Sequence, residues 1–319
     1  LVPEQFLGGE MPLDRRLAER ALTQTIAEPL GIDAARAAWG THEVINEAVA
    51  RAFRMHASEL GFDYRHCSMV AFGGSGPVHA LRVARKLGIP RVIFPPAAGV
   101  MSAVGLLVSP LSFEAVRSER VAISEVDTSI LTGGFTALSR QALDFLASAG
   151  IGEAEVSMHR RLDMRYAGQG YDIEVELPPG PIDESMVARI PSLFNERYAR
   201  VFSDVTLSQP IEIVNWKVEA SGPKPAIGAD YGASFFEGGP AHLGTQNIYS
   251  PEAREFEAWP IIARYALAPG STLDGPALLQ ERESTCVIGP GERVRIDEAY
   301  NVIAELIPVG RTPEGTASV

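Results

Sequence analysis

The sequence predicts an α/β chain whose first segment holds a strand, loop, helix and strand unit and which passes through an α+β segment into a β-rich one. Three observations predict it. The apolar run Val70-Ala-Phe72 breaks into three glycines, Gly73, Gly74 and Gly76, and then opens a helix. Helical periodicity dominates to about residue 118, and helices alternate with strand patterns to about residue 210. From Ile211 onward apolar and polar residues alternate, and Pro and Gly recur every few positions. The expected divisions are therefore residues 1–118, 119–210 and 211–319.

The elements follow in order. Residues 12–28 place Leu13, Leu17, Ala21, Leu22 and Ile26 at helical spacing and stop before Pro29, which predicts a helix with one buried stripe. A second helix is expected from an N-cap at Thr41 to Gly61, with Val44, Ile45, Ala48, Val49, Ala52, Phe53 and Leu60 on one face. Residues 68–72 read as a buried strand, 77–87 as a helix capped by Gly88, and 91–94 as a second strand ended by Pro95-Pro96. Ala98 to Val108 is a helix of small residues that can lie close against a neighbour. Beyond Pro110, residues 131–149 predict an amphipathic helix. Residues 156–166 and 171–177 predict a hairpin around 167–170, and 186–202 a helix interrupted at Pro191. Val214, Trp216, Val218 and Ala220 alternate with Asn215, Lys217 and Glu219, which is a strand. Residues 222–241 read as a linker or mobile loop, and 311–319 as a frayed end.

Bulk composition narrows the function. At 319 residues and 46% hydrophobic the chain can bury substantial cores. A formal charge of -12 argues against a duplex nucleic-acid surface, which needs clustered Lys and Arg. Cys67 and Cys286 stand far apart and in no CxxC context, so neither a disulfide framework nor a zinc knuckle is supported and a reducing cytoplasm is the simplest setting. The longest apolar run, 97–108, falls short of the ~20 residues that span a bilayer. The N-terminus has no secretory pattern, and it lacks a methionine, which points to residues upstream. Small molecules and other proteins are the expected partners.

The glycine loop carries the chemistry. Without Cβ atoms, Gly73, Gly74 and Gly76 let the main chain approach a flat base or a ribose. The helix that follows directs N–H groups toward the loop, which favours phosphate oxygens. A nucleotide is thus a natural occupant, although such loops also serve as plain strand-to-helix turns. No GxxxxGK[ST] occurs, and the spacing misses G-x-G-x-x-G because position 79 is His, so a P-loop or a Rossmann dinucleotide site is not expected.

Other candidates are weaker. His79 stands in the first turn of the helix, within reach of a nucleotide or substrate, or else as a capping or core imidazole. His42, His56, His66, His159 and His242 have no metal-type spacing, and His56 is expected in the core. Asp163 and Arg165 are two apart on a strand, face the same side and can pair. Glu281, Arg282 and Glu283 read as a solvated charged turn. No catalytic nucleophile or metal ligand is assigned.

Several blocks fall together in a recognisable order. Phe72-Gly-Gly-Ser-Gly-Pro-Val-His79, Leu87-Gly-Ile-Pro-Arg91 and Pro95-Pro-Ala-Ala-Gly-Val-Met-Ser-Ala-Val-Gly-Leu-Leu107 resemble the hydantoinase A / 5-oxoprolinase family, which includes acetone and acetophenone carboxylases. So do Phe6-Leu-Gly-Gly-Glu-Met-Pro-Leu-Asp14, Asp163-Met-Arg-Tyr-Ala-Gly-Gln169, Val214-Asn-Trp216 and Gly275-Pro-Ala-Leu-Leu-Gln-Glu281 with Ser284-Thr285.

The resemblance implies half of an actin-like ATPase core, with the glycine loop as its adenosine motif. It implies ATP with Mg²⁺ or Mn²⁺, contacted here by Gly73, Gly74, Ser75, Gly76 and Pro77, with His79 nearby. The family's D-x-G-G-T phosphate loops do not occur here. The chain therefore resembles the family's C-terminal half, as a small split subunit of the alpha-prime type or as a fragment. A larger hydantoinase A-like chain would then hold the phosphates and most of the metal site, and a hydantoinase B-like chain would complete the enzyme. The implied reaction is ATP-dependent carboxylation of a ketone, with phosphorylation of the enolate, of bicarbonate or of both. Hydrolysis of a cyclic amide is the alternative, and a non-catalytic scaffold is a third.

Overall fold

The computed structural model describes residues 2–202, 209–226, 231–251 and 253–306. Two compact units share the chain: one takes it to Leu106 and takes it up again after Ala226, and the other is Leu107–Ala226.

The first unit begins with α1 (Arg15–Leu22), capped by the Asp14 carboxylate, which accepts from the N–H groups of Arg16 and Leu17. A π turn (Thr23–Ala27) joins it to α2 (Glu28–Leu30), so the helical path passes Pro29 and ends at Gly31, whose φ is 63°. Helix α3 (Ala34–Glu59) starts earlier than expected, because Asp33 rather than Thr41 caps it. The Thr41 hydroxyl instead donates back to the Ala37 carbonyl at 2.9 Å, which is how a threonine sits inside a helix. Its buried positions are Ala37, Asn46, Ala50 and Ala57, while Val44, Ile45, Val49 and Leu60 are exposed, Val44 to 70%. Small side chains let α3 approach its neighbour closely and leave the larger apolar ones outward. Leu13 and Leu17 are likewise exposed, so the expected buried stripe of the first helix is not buried. His56, expected in the core, is also on the surface.

Strand β1 (Ser68–Val70), α4 (Gly76–Leu87) and β2 (Arg91–Phe94) follow in the expected order, with β1 and β2 parallel in the register Ser68↔Arg91, but β1 is shorter than expected and not buried, with Val70 and Phe72 exposed. Helix α4 buries Ala80, Leu81, Val83, Ala84 and Leu87 and ends at Gly88, φ 70°. Lys86 reaches back to Glu43 at 3.1 Å and Glu47 at 3.4 Å, tying α4 to α3. A 3-10 turn (Ala98–Val100) then leads into α5 (Met101–Val108), where Leu106 and Leu107 are exposed.

The second unit holds β3 (Ser112–Ala122), α6 (Thr128–Ser148), β4 (Ser157–Tyr166), β5 (Ile173–Glu176), α7 (Glu184–Phe202) and β6 (Ile211–Ser221). Its antiparallel sheet has the order β3-β6-β4-β5. Leu131, Phe135, Leu138 and Leu146 of α6 share one core with Met186, Ile190, Phe194 and Tyr198 of α7 and with Trp216. That stripe at four-residue spacing carries α7 straight through Pro191, where an interruption was expected. Asp163 and Arg165 do share a face but do not pair. Asp163 meets Lys217 at 2.9 Å and accepts from Asn215, and Arg165 donates to Glu212 at 2.8 Å.

Back in the first unit come β7 (His242–Ser250), β8 (Glu255–Ala263), β9 (Thr272–Asp274), β10 (Ala277–Gln280), β11 (Thr285–Ile288), β12 (Arg293–Ile296) and β13 (Val302–Glu305). They complete two sheets, β1-β2-β13-β12-β9 and β11-β10-β8-β7. The stretch from Ile211 is therefore not one segment: β6 serves the second unit, and β13 closes the edge of β2 with Ile303 opposite Ile93. Part of the expected 222–241 linker, and all of the expected frayed end 311–319, lie outside the described residues. Among the described residues no helix is long and apolar enough to cross a membrane.

Candidate functional site

Everything that positions the glycine loop lies in the first unit. The Ala71 N–H donates to the Ile93 carbonyl at 2.9 Å, and the chain then turns at Gly73, whose φ of 89° suits a residue without Cβ. The Gly73 N–H donates to the Ala98 carbonyl at 2.7 Å, which fastens the loop to the turn after β2. Gly76 and Pro77 open α4, where proline's missing N–H would have had no intrahelical partner. The loop edges a cavity of about 1520 Å³, whose wall includes Gly74, Ser75, Val78, Gly99, Trp39 and His42. Of the six candidate residues, Gly74 and Ser75 line this cavity, whereas Gly73, Gly76, Pro77 and His79 do not.

His79 turns toward α3. Its Nδ1–H donates to the Asn46 side-chain Oδ1 at 2.8 Å, and the Asn46 side-chain amide donates to His42 Nδ1 at 3.0 Å and to Glu43 at 3.0 Å. Asn46 is 0% exposed, so these bonds satisfy a fully buried amide. The two imidazoles stack at 4.6 Å, and Trp39 stacks on His42 at 5.3 Å while the Arg82 guanidinium covers the Trp39 ring at 4.1 Å. Burial lowers the pKa of both histidines, and for His42 the neighbouring His79 adds to it. Both rings are neutral, hydrogen-bonding groups above their lowered values.

Of the charged turn expected to be solvated, Arg282 is exposed and Glu283 partly so, but Glu281 is buried. The Glu281 carboxylate and the Arg264 guanidinium are 0% and 1% exposed and meet at 3.0 Å. Glu281 also accepts from the Tyr265 hydroxyl at 2.5 Å and from Ser284 at 2.6 Å, and Arg264 donates to the Phe94 carbonyl at 2.7 Å. Two hydroxyl donors and the ion pair make burial of this carboxylate tolerable. The signal for it was present but needed the pairing: β8 and β10 run parallel with Gln280 opposite Ala263, so the next residues, Glu281 and Arg264, meet as opposite charges. Cys286 is buried and its thiol is pushed up to about 12 by burial, which disfavours the reactive thiolate. Among the described residues no three His, Cys, Asp or Glu side chains group as a metal site.

The first unit is thus an α/β unit in which a glycine loop opens a helix at the edge of a cavity. Residues 1–115 match the hydantoinase/oxoprolinase family and residues 118–303 match the hydantoinase/oxoprolinase C-terminal domain, and the chain belongs to this family. It is 30% identical to an uncharacterised protein of Methanocaldococcus jannaschii over 92% of this chain and 41% of that one. The acetophenone carboxylase gamma subunit of Aromatoleum aromaticum is 27% identical over 99% of this chain and 45% of that subunit. The caprolactamase subunit alpha of Pseudomonas jessenii is 26% identical over 92% and 42%. The chain thus spans less than half the length of these relatives. A nucleotide-free structure of acetone carboxylase shares the fold, with a TM-score of 0.71 at 24% identity over 96% of this chain and 45% of that one.

Proposed function

We propose that this chain supplies the adenosine side of an ATP site in a multisubunit ATP-dependent carboxylase acting on a ketone. The observation that carries the reading is the glycine loop at the cavity edge. A Cβ on Gly74 would come within 3.6 Å of the Glu283 carbonyl, and nothing stands within 4 Å of one on Gly73 or Gly76. That leaves bare main chain for a base or ribose, which suits the adenosine part of a nucleotide. The D-x-G-G-T phosphate loops of the family do not occur in this sequence, so the phosphates and Mg²⁺ or Mn²⁺ are assigned mainly to a larger hydantoinase A-like chain.

Gly73, Gly74, Ser75, Gly76 and Pro77 would hold the nucleoside, and the first turn of α4 would favour its anionic side. His79 would act through Asn46, keeping His42 in place on the cavity wall. ATP, when bound, supplies a phosphoryl group to a substrate oxygen, whether of a ketone enolate, bicarbonate or an amide. The exposed apolar faces of α1 and α3 support a partner chain, and a hydantoinase B-like chain would complete the assembly. The kinship with acetone and acetophenone carboxylase subunits supports the carboxylase reading, and the comparable kinship with caprolactamase supports cyclic amide hydrolysis as the competing one.

ADP release by the native assembly separates them. With acetone or acetophenone it is expected to require bicarbonate and to track carboxylate formation. Turnover of a cyclic amide without bicarbonate would overturn the carboxylase in favour of the hydrolase, and no ATP turnover with either panel would leave only a scaffold.

A further inference from the structure

We infer that Tyr265, with Glu281, Arg264 and Ser284, is a positioning clamp that sets the shape of the glycine loop and through it the affinity for ATP. The inference rests on the proposed adenosine site; Tyr265 and Arg264 stand behind its cavity wall, while Glu281 and Ser284 line it.

The clamp grips both segments that flank the loop. On one side, Ala97 has φ 54°, a left-handed conformation that a residue with a Cβ rarely adopts unless its surroundings hold it there. The holding contact is the Ala97 N–H, which donates to the Tyr265 hydroxyl oxygen at 2.9 Å. The next residue, Ala98, carries the carbonyl that receives the Gly73 N–H. A line of contacts thus runs from Glu281 through the Tyr265 hydroxyl and the 97–98 turn into the loop.

On the other side, the turn 281–284 is closed by the Glu281 N–H donating to the Ser284 carbonyl at 3.1 Å and by the Ser284 hydroxyl donating to the Glu281 carboxylate. This turn presses Glu283 against the loop region. A Cβ on Gly99 would lie 2.5 Å from the Glu283 Cβ and 2.9 Å from its carbonyl carbon, so only glycine fits there. The Glu283 carbonyl is the same group that stands near Gly74. Burial and the Glu281 carboxylate both raise the Tyr265 pKa, which keeps the hydroxyl protonated as the donor this geometry requires.

Tyr265→Phe keeps the ring and deletes the hydroxyl, leaving the Ala97 N–H and one Glu281 oxygen without that partner. Measured in the assembled enzyme, the ATP KM is expected to rise about tenfold or more, with kcat and the KM of the carbonyl substrate little changed. A purely structural residue would lower the amount of active enzyme and leave the ATP KM alone. Ser284→Ala, a milder change that keeps the chain foldable, is expected to shift the ATP KM in the same direction by about threefold. An unchanged ATP KM in both variants would overturn the clamp. Gly74→Arg, which fills the loop with a side chain, tells the two levels apart. If it abolishes ATP binding while Tyr265→Phe does nothing, the clamp alone is wrong; if it leaves ATP binding intact, the adenosine site is wrong and the clamp falls with it.

Discussion

Two adjacent glycines in α6 meet opposite surroundings. A Cβ on Gly134 would lie 2.7 Å from Trp216 Cε3 and 2.8 Å from Cζ3, and that ring is fully buried with its Nε1–H donating to the Glu119 carbonyl. Gly133 has nothing within 4 Å. Alanine gains roughly 1 kcal/mol of helix propensity at either position. At Gly134 that gain is outweighed by overpacking against a ring that cannot retreat, which costs about 1–3 kcal/mol. Urea unfolding should therefore show Gly133→Ala stabilised by up to about 1 kcal/mol and Gly134→Ala destabilised by up to about 2 kcal/mol. Equal effects would contradict the packing described for this helix. Single residues were legible where their role is local, as with the glycines of the loop at 73–76 and the cap at Gly88. Glu281 was not, because its partner Arg264 is 17 residues away and meets it only once β8 and β10 lie parallel.

At the scale of elements, the contact between α3 and α4 joins packing to protonation. His42 and His79 both have pKa values lowered from 6.5 in the folded chain, burial being the largest cause for each. A lowered folded value means that folding favours the neutral rings. The stability they contribute is present above 6.5 and is lost as pH falls through the lowered folded values. Glu43 opposes the shift of His42 and Arg82 reinforces it, so the ring pair is sensitive to both neighbours. The unfolding free energy should fall on acidification below 6.5, and the slope in that window should flatten when both histidines are replaced by glutamine. A slope unchanged by the double substitution would show that these rings are not its source. Periodicity gave α3 and α4 as helices, but it marks which face is apolar and not what covers it. The small residues Ala50 and Ala57 are buried while Val44 and Val49 are exposed, and hydrophobicity alone ranks them the other way.

For the whole molecule, the order of segments along the chain differs from their order in space. The α/β class and the strand, loop, helix and strand unit could be read directly, since each depends on neighbours in sequence. The return of β13 to pair with β2, and the transfer of β6 to the second unit, could not, because short strands of similar alternation carry no mark of their distant partner. The 281–284 turn, between β10 and β11 in the other sheet, also lies against the glycine loop, so the candidate site is built from segments far apart in the sequence. The central claim, that this chain holds the adenosine of ATP, is tested most directly by photolabelling the native assembly with 8-azido-ATP and mapping the labelled peptides. Label that ATP competes away is expected on peptides of this chain around residues 73–77 or on the facing 281–284 turn. Competable label confined to the other chains would contradict it.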